Sequence, residues 1–198
     1  AAAIDIARFT AADPCAGLAD ASLMATAMPD LDLYHPWALP VEGAIDLARR
    51  CEAAAFAVSP QVSNSEGASV STQEAHFISA NSHGFMGGYP TSRNYIACSV
   101  IAGEGDGMQR DDWYSTARSG TALASPEAIG DYAARRALAR MAGRKIKTCQ
   151  VPVLFEAPLA ASLIGSFVHA VSGGALYRKS SFLLDSLGQQ VFPDHVSI

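Results

Sequence analysis

Residues 62–118 read VSNSEGASVSTQEAHFISANSHGFMGGYPTSRNYIACSVIAGEGDGMQRDDWYSTAR, and their pattern decides the fold class. Gly, Ser and Asn are interleaved with β-branched and aromatic residues. Four pairs punctuate the run as turns: Glu66-Gly67, His83-Gly84, Gly88 with Pro90, and Asp106-Gly107. Alternation of this kind sends successive side chains to opposite faces of a strand, and Gly supplies the backbone angles that tight turns need. The stretch therefore predicts an antiparallel meander of four or five strands. Residues 94–102 (NYIACSVIA) are its most apolar run and take the central place.

Upstream, residues 41–58 place Val41, Ala44, Ile45, Ala48, Cys51 and Ala55 on one side and Glu42, Asp46, Arg49, Arg50 and Glu52 on the other. That spacing predicts an amphipathic helix. Residues 29–40 (PDLDLYHPWALP) have no period and form a loop. Asp13 before Pro14 reads as an N-cap with a first-turn proline, opening a short helix that ends before Pro29. Residues 4–9 alternate weakly and read as a short strand.

Downstream, Ser125-Pro126-Glu127 caps a second helix with the stripe Ile129, Tyr132, Ala133, Ala137 and Met141. Arg135, Arg136, Arg140, Arg144, Lys145 and Lys147 form a solvated face, the later ones meeting the negative end of the helix dipole. Residues 151–155 read as a buried strand. Pro158 starts a third, apolar helix, buried on most sides and running through Val171. Ser172-Gly173-Gly174 ends it, and residues 176–184 continue as an extended segment. Helix, meander and helix-strand-helix in this order make the class α+β, an antiparallel meander sheet packed against helices.

The 198 residues are 49% apolar and 17% charged, enough for a packed core and too little charge for a disordered chain. The net charge of −5 argues against direct nucleic-acid binding, which leaves a basic face. No apolar run is long enough for a membrane helix, and no basic, then apolar, opening marks a signal peptide. Cys15, Cys51, Cys98 and Cys149 lie far apart in no metal-like spacing, as free thiols of a reducing cytoplasm do. A start at Ala1 without Met and a stop at Ile198 read as cuts from a longer chain.

Motif chemistry is sparse. Residues 173–180 (GGALYRKS) approach a phosphate-binding loop, but Arg178 stands where a glycine must precede Lys179, and a helix rather than a strand comes before. His35, His76, His83, His169 and His195 show no helical pairing that brings two imidazoles to one metal. His169 reads as a hydrogen-bonded core histidine and His83 as a turn residue. Ser82-His83-Gly84 and Ser172-Gly173-Gly174 offer serines outside any nucleophile elbow. Glu104, Asp106, Asp111 and Asp112 lack the spacing of a calcium loop and suit a hairpin turn.

Several stretches together resemble the PmbA (TldE) branch of the TldD/PmbA metallopeptidase family. They are ADPCAGLADASLMA from Ala12, PDLDLYHP from Pro29, VSNSEGASVS from Val62, the turn Asn81-Ser82-His83-Gly84 with Gly88-Tyr89, and above all SGGALYRKSSFLLDSLGQQVFPD from Ser172 to Asp194. The likeness matches the middle of such a protein, without its N-terminal portion and C-terminal domain. It implies residues 1–147 as a helix-plus-meander N-terminal-type domain and 148–198 as the start of the region with the metal-motif helix. TldD-type subunits carry an HExxxH helix that binds zinc, with the Glu as general base. The equivalent here is Ile164-Gly165-Ser166-Phe167-Val168-His169, with Ile164 for the first His and Gly165 for the Glu. The resemblance thus implies no catalytic residue, no metal and no cofactor in this chain, and zinc in a TldD-type partner.

It further implies a cytoplasmic hetero-oligomer with that subunit, or a homodimer, acting on unfolded or small peptides. Microcin maturation, antitoxin degradation and modulation of DNA gyrase are the associated roles. Ser172, Gly173, Gly174, Arg178 and Lys179 are the expected peptide or partner contact. A peptidase active as a homo-oligomer and a non-enzymatic regulator of the gyrase-modulator type are the alternatives.

Overall fold

The computed structural model describes residues 2–13 and 16–198, which divide into two compact units, one up to Arg144 and one from Lys145. Pro14 and Cys15, read above as a first-turn proline and a free thiol, lie outside the described residues.

The first unit is built on helix α2 (Val41–Val58), strands β1 (Val62–Ala80), β2 (Met86–Ala102) and β3 (Gln109–Ala117), and helix α3 (Pro126–Ala139), preceded by helix α1 (Ala2–Phe9). The sheet is antiparallel in the order β1-β2-β3, so the run containing residues 94–102 is central as expected. The strands number three rather than four or five. Glu66-Gly67 is not a turn but a bulge, where the register shifts between Ser65 and Gly67 and Gly67 takes φ +108°. Gly88 and Pro90 lie inside β2, opposite Ile78 and His76. A Cβ on Gly88 would collide with the Phe77 carbonyl, so this glycine serves close strand approach. The two true turns are residues 81–85, where Gly84 has φ +84°, and the 3₁₀ turn Gly105–Gly107.

The helices α2 and α3 cover one face of the sheet. Cys51 and Ala55 of α2 and Ile129, Ala133, Ala134 and Ala137 of α3 are sealed against Ile96, Cys98, Val100 and Ala102 of β2. A Cβ on Gly130 would overlap the Cys51 carbonyl, so α3 rests on the backbone of α2 there. Ser125 caps α3, its hydroxyl accepting from the Ala128 amide at 3.2 Å. The buried polar side chains are tied to the main chain: Asn94 Nδ2 and Ser92 Oγ both donate to the Arg118 carbonyl, at 2.8 and 2.9 Å.

Two expectations for the N-terminal residues fail. Residues 4–9 belong to a helix, not a strand: alanine-rich sequence favours a helix, and no neighbouring strand pairs with it. Residues 16–28 hold only the 3₁₀ turn Ala21–Leu23 instead of a helix. Asp20 accepts from the Ser22 amide at 2.8 Å, a local bond that competes with helix continuation.

The second unit contains helices α4 (Ala157–Ala170) and α5 (Gly173–Tyr177). Residues 151–155 are not a strand; they are irregular and exposed, Leu154 fully so, with no strand among the described residues of this unit to pair with. Helix α4 is not buried on most sides. Ala170 alone is sealed, and Leu159, Leu163 and Val168 are each more than half exposed. Phe167 packs edge-on against Phe192, centroids 4.9 Å apart.

Candidate functional site

Helix α4, the short helix α5 and the residues that flank α5 carry all the positions singled out as a degenerate metal motif and a contact surface. The Ser162 hydroxyl donates to the Leu159 carbonyl at 2.6 Å and Ser166 to Ser162 at 3.0 Å, keeping both hydroxyls within the helix. Ile164 is 40% exposed and Gly165 faces open space, with nothing within 4 Å of where a Cβ would stand. His169 is exposed in the last turn, not a core histidine; the Ser172 amide donates to its carbonyl at 3.2 Å. Gly165 and His169 stand one turn apart on the same face, whereas Ile164 projects elsewhere.

Ser172 caps α5, its Oγ accepting from the Ala175 amide at 3.4 Å. The segment Gly173–Tyr177 is therefore helical: the glycines open a helix rather than only ending one, and Leu176 and Tyr177 do not begin an extended segment through residue 184. The Ala175 and Leu176 amides both donate to the Ser172 carbonyl, so the glycines offer no open phosphate cradle. The helix ends in a Schellman arrangement: Ser180 N donates to the Ala175 carbonyl at 2.9 Å and Lys179 N to that of Leu176 at 3.0 Å. The position that normally takes glycine at such a helix end is Lys179, at φ +55°. The left-handed conformation costs a side-chain-bearing residue about 1 kcal/mol. Strain of this kind collects at functional sites. The Arg178 guanidinium lies against Gly174, 3.3 Å from where a Cβ would stand. Ser172, Gly173, Gly174, Arg178 and Lys179 thus form one exposed turn with two cations.

The remaining candidates do not converge. The His35 ring lies 3.0 Å from the Asp32 carbonyl, His76 is on β1, His83 in the 81–85 turn, and His195 near the C-terminal end. Asp106 is in the β2–β3 turn, while Asp111 turns toward α3 and pairs with Arg136 at 3.2 Å and Arg140 at 3.5 Å. Arg136, expected on a solvated face, is only 24% exposed for this reason. A zinc ion needs three or four donors at one point. The α4 positions present one imidazole, and among the described residues no three His, Cys, Asp or Glu side chains gather to hold an ion. These residues do not fit a zinc centre.

One polar arrangement escaped sequence reasoning. On the sheet face opposite the helices, Glu66 accepts from Arg110 at 2.8 Å and from Ser99 Oγ at 3.0 Å, and these two donors hold its carboxyl below the usual range. Beside it Tyr95 and Tyr114 stack with centroids 5.6 Å apart. The signal was Gly67: a glycine within an alternating run marks a bulge as readily as a turn, and the bulge is what aims Glu66 across the strands.

Comparison with known proteins bears on both units. The PmbA/TldA metallopeptidase central-domain model matches residues 34–141, and the C-terminal-domain model of the same family matches residues 148–198. Part of the C-terminal domain is therefore present, contrary to the expectation that all of it lies outside the chain. Over 197 residues the chain is 45% identical to the metalloprotease PmbA of Escherichia coli O157:H7 and 43% identical to a PmbA homolog of Haemophilus influenzae. It spans all of its own length in both cases but only 44% of theirs. A candidate modulator of DNA gyrase from Bacteroides thetaiotaomicron superposes with a TM-score of 0.86 at 25% identity, over 95% of this chain and 44% of that one. A like-named protein from Thermotoga maritima shares the fold with a TM-score of 0.74 at 22% identity, over 82% of this chain and 38% of that one.

Proposed function

The chain belongs to the PmbA/TldA metallopeptidase family, and from that premise we propose that it forms part of a metal-free subunit of a cytoplasmic peptidase. Its partner is a TldD-type subunit that carries the zinc, and the pair acts on unfolded or small peptides, as in microcin maturation or antitoxin degradation. The observation that carries this reading is helix α4. Where a metallopeptidase helix needs His, Glu and His, this one has Ile164, Gly165 and an exposed His169. Neither the ligand set nor the general base can be assembled from those side chains.

In this reading residues 148–198 open the region holding the degenerate helix, and 1–147 form the helix-plus-meander part before it. The turn with Ser172, Gly173, Gly174, Arg178 and Lys179 is the peptide or partner contact. Its two cations suit carboxylates, and strain at Lys179 is compatible with a position kept for its side chain.

The test is the zinc content and peptidase activity of the purified protein, expressed with any flanking sequence its gene encodes. Essentially no zinc, no cleavage alone, and cleavage once a TldD-type subunit is added are the expected results. About one zinc per chain, or cleavage without a partner, would overturn the reading. A second reading, a non-enzymatic regulator, is favoured by the gyrase-modulator description of the two solved relatives. It predicts a metal-independent complex with gyrase that co-migrates on a sizing column; separate elution ends it.

A further inference from the structure

Two thiols take no part in the chemistry described so far. Cys51, on the sheet-facing side of α2, and Cys98, on the helix-covered face of β2, are 0% and 1% exposed and belong to one apolar cluster. All of β1 lies between them in the chain, yet the fold sets them side by side, each thiol the hydrogen-bond partner of the other. Both are firmly placed. The Cys51 carbonyl lies where a Cβ on Gly130 would stand, so α2 rests there on the backbone of α3. Cys98 occupies the central strand, opposite Ala68 on one side and Trp113 on the other. Groups held together by packed elements meet at a far higher effective concentration than groups free in solution.

The surroundings select the oxidant. Ala55, Ile96, Val100 and Ile129 seal the pair, which leaves no room for a bulky disulfide reagent. Hydrogen peroxide is little larger than water. Beside Cys98 the strand ladder is interrupted: the register shifts between Ser65 and Gly67, and Gly67, opposite Ser99, adds no side chain. An open hollow of about 470 Å³, lined in part by Gly67, Ala68, Cys98 and Ser99, reaches the strand at that point. We propose that Cys51 and Cys98 are a peroxide-sensitive pair that closes to a disulfide and staples α2 to the central strand.

Cys98 reacts first, because the shared hydrogen bond favours its thiolate and keeps the proton on Cys51. The Cys98 thiolate attacks one peroxide oxygen: an S–O bond forms, the O–O bond breaks, and hydroxide leaves, taking up the proton that Cys98 released to become water. Cys98 is then a sulfenic acid, oxidised by two electrons. The Cys51 sulfur attacks the Cys98 sulfur next. The S–S bond forms, the S–O bond breaks, and the hydroxyl departs with the Cys51 proton as a second water. Two thiols and one peroxide give one disulfide and two waters. The seal directs the outcome, since a larger thiol cannot enter to intercept the sulfenic acid while Cys51 stands beside it. The inference does not depend on the metallopeptidase partnership, because no residue of α4 or α5 enters it.

The test uses the protein with any flanking sequence its gene encodes. The folded protein is treated with hydrogen peroxide, quenched, alkylated in denaturant and digested with trypsin without reduction. Cleavage after Arg50, Arg93 and Arg110 puts Cys51 in the peptide 51–93 and Cys98 in the peptide 94–110. These two are expected to appear joined, at their summed mass less two hydrogen atoms, and to separate again with dithiothreitol. In Cys51→Ala, Cys98 should lose its alkylation without becoming joined; in Cys98→Ala, Cys51 should remain an alkylatable thiol. The proposal is overturned if both peptides stay separate and alkylated at a peroxide dose that has fully oxidised the exposed Cys149. Joining that occurs only when urea is present during the peroxide step overturns it too. A Cys98 that stays reduced in Cys51→Ala while Cys51 is oxidised in Cys98→Ala overturns the assignment of Cys98 as the first to react.

Discussion

Arg136 of α3 reaches Asp111 of β3, Nε to Oδ1 3.2 Å, while its guanidinium carbon sits 5.1 Å from the centre of the Trp113 ring. The contact joins the helix layer to the last strand at a carboxylate only 12% exposed. A stacked, half-buried arginine pair of this kind contributes more than a surface ion pair, because losing one partner leaves the other charge desolvated.

Arg136→Ala should therefore destabilise the first unit by about 3 kcal/mol, read from urea unfolding followed by tryptophan fluorescence. Arg50→Ala, which breaks exposed pairs with Glu127 and Asp46, should shift the same unfolding midpoint far less, because solvent screens an exposed pair.

Burial alone would raise the Asp111 carboxyl, but the Asp112 amide, Arg136 and Arg140 outweigh it and hold the group below its ordinary value. Folding thus favours the ionised form. The stabilisation is complete above the ordinary carboxylate pKa, near pH 4, and is lost as pH falls through the lowered one. Unfolding midpoints measured from pH 6 down to pH 2 should fall less steeply in Asp111→Asn than in the parent chain.

Two helix glycines should respond with opposite signs. Gly130→Ala drives a methyl into the Cys51 carbonyl and should cost about 3 kcal/mol, since backbone there has no room to yield. Gly165→Ala meets nothing within 4 Å and should gain about 1 kcal/mol of helix stability. Denaturant midpoints of the two variants check both.

Lys179→Gly should raise the stability of the α5 end by about 1 kcal/mol, because glycine occupies a φ of +55° without a side-chain penalty. If the Arg178–Lys179 turn is the partner contact, the same variant should weaken partner-dependent peptide cleavage. Hydrogen exchange at the Ser180 amide and a cleavage assay separate the two effects.

A hydrogen bond with Cys98, together with burial, pushes the Cys51 thiol well up, and the same bond pulls Cys98 down. Both are sealed in the core, whereas Cys149 is exposed. In a Cys15→Ser background an aromatic disulfide reagent should titrate Cys149 at once, and Cys51 and Cys98 only after denaturant is added.

Legibility in the sequence followed the range of the forces involved. Helix α2 has the predicted ends, residues 41–58, because helix period and flanking prolines act within a few residues. The Ser125 cap was readable for the same reason. The lengths of β1 and β2 were not. A Gly in a strand and a Gly in a turn look alike until the opposite strand is known, so Gly67 and Gly88 were read as ends when they are a bulge and a close approach. Residues 151–155 are as apolar as a core strand but have no partner strand among the described residues of their unit. In the candidate site, the cap at Ser172 lay where glycines and serine predicted a break, while the left-handed Lys179 gave no local warning.

By itself the sequence determined the α+β class, the central strand and the two helices that cover it. Those depend on residue identity and short periods. Only the tertiary structure decided that Arg136 is drawn from solvent by Asp111 and that α4 leaves its leucines exposed. Each depends on what stands across from a residue, and the chain's local chemistry does not encode that.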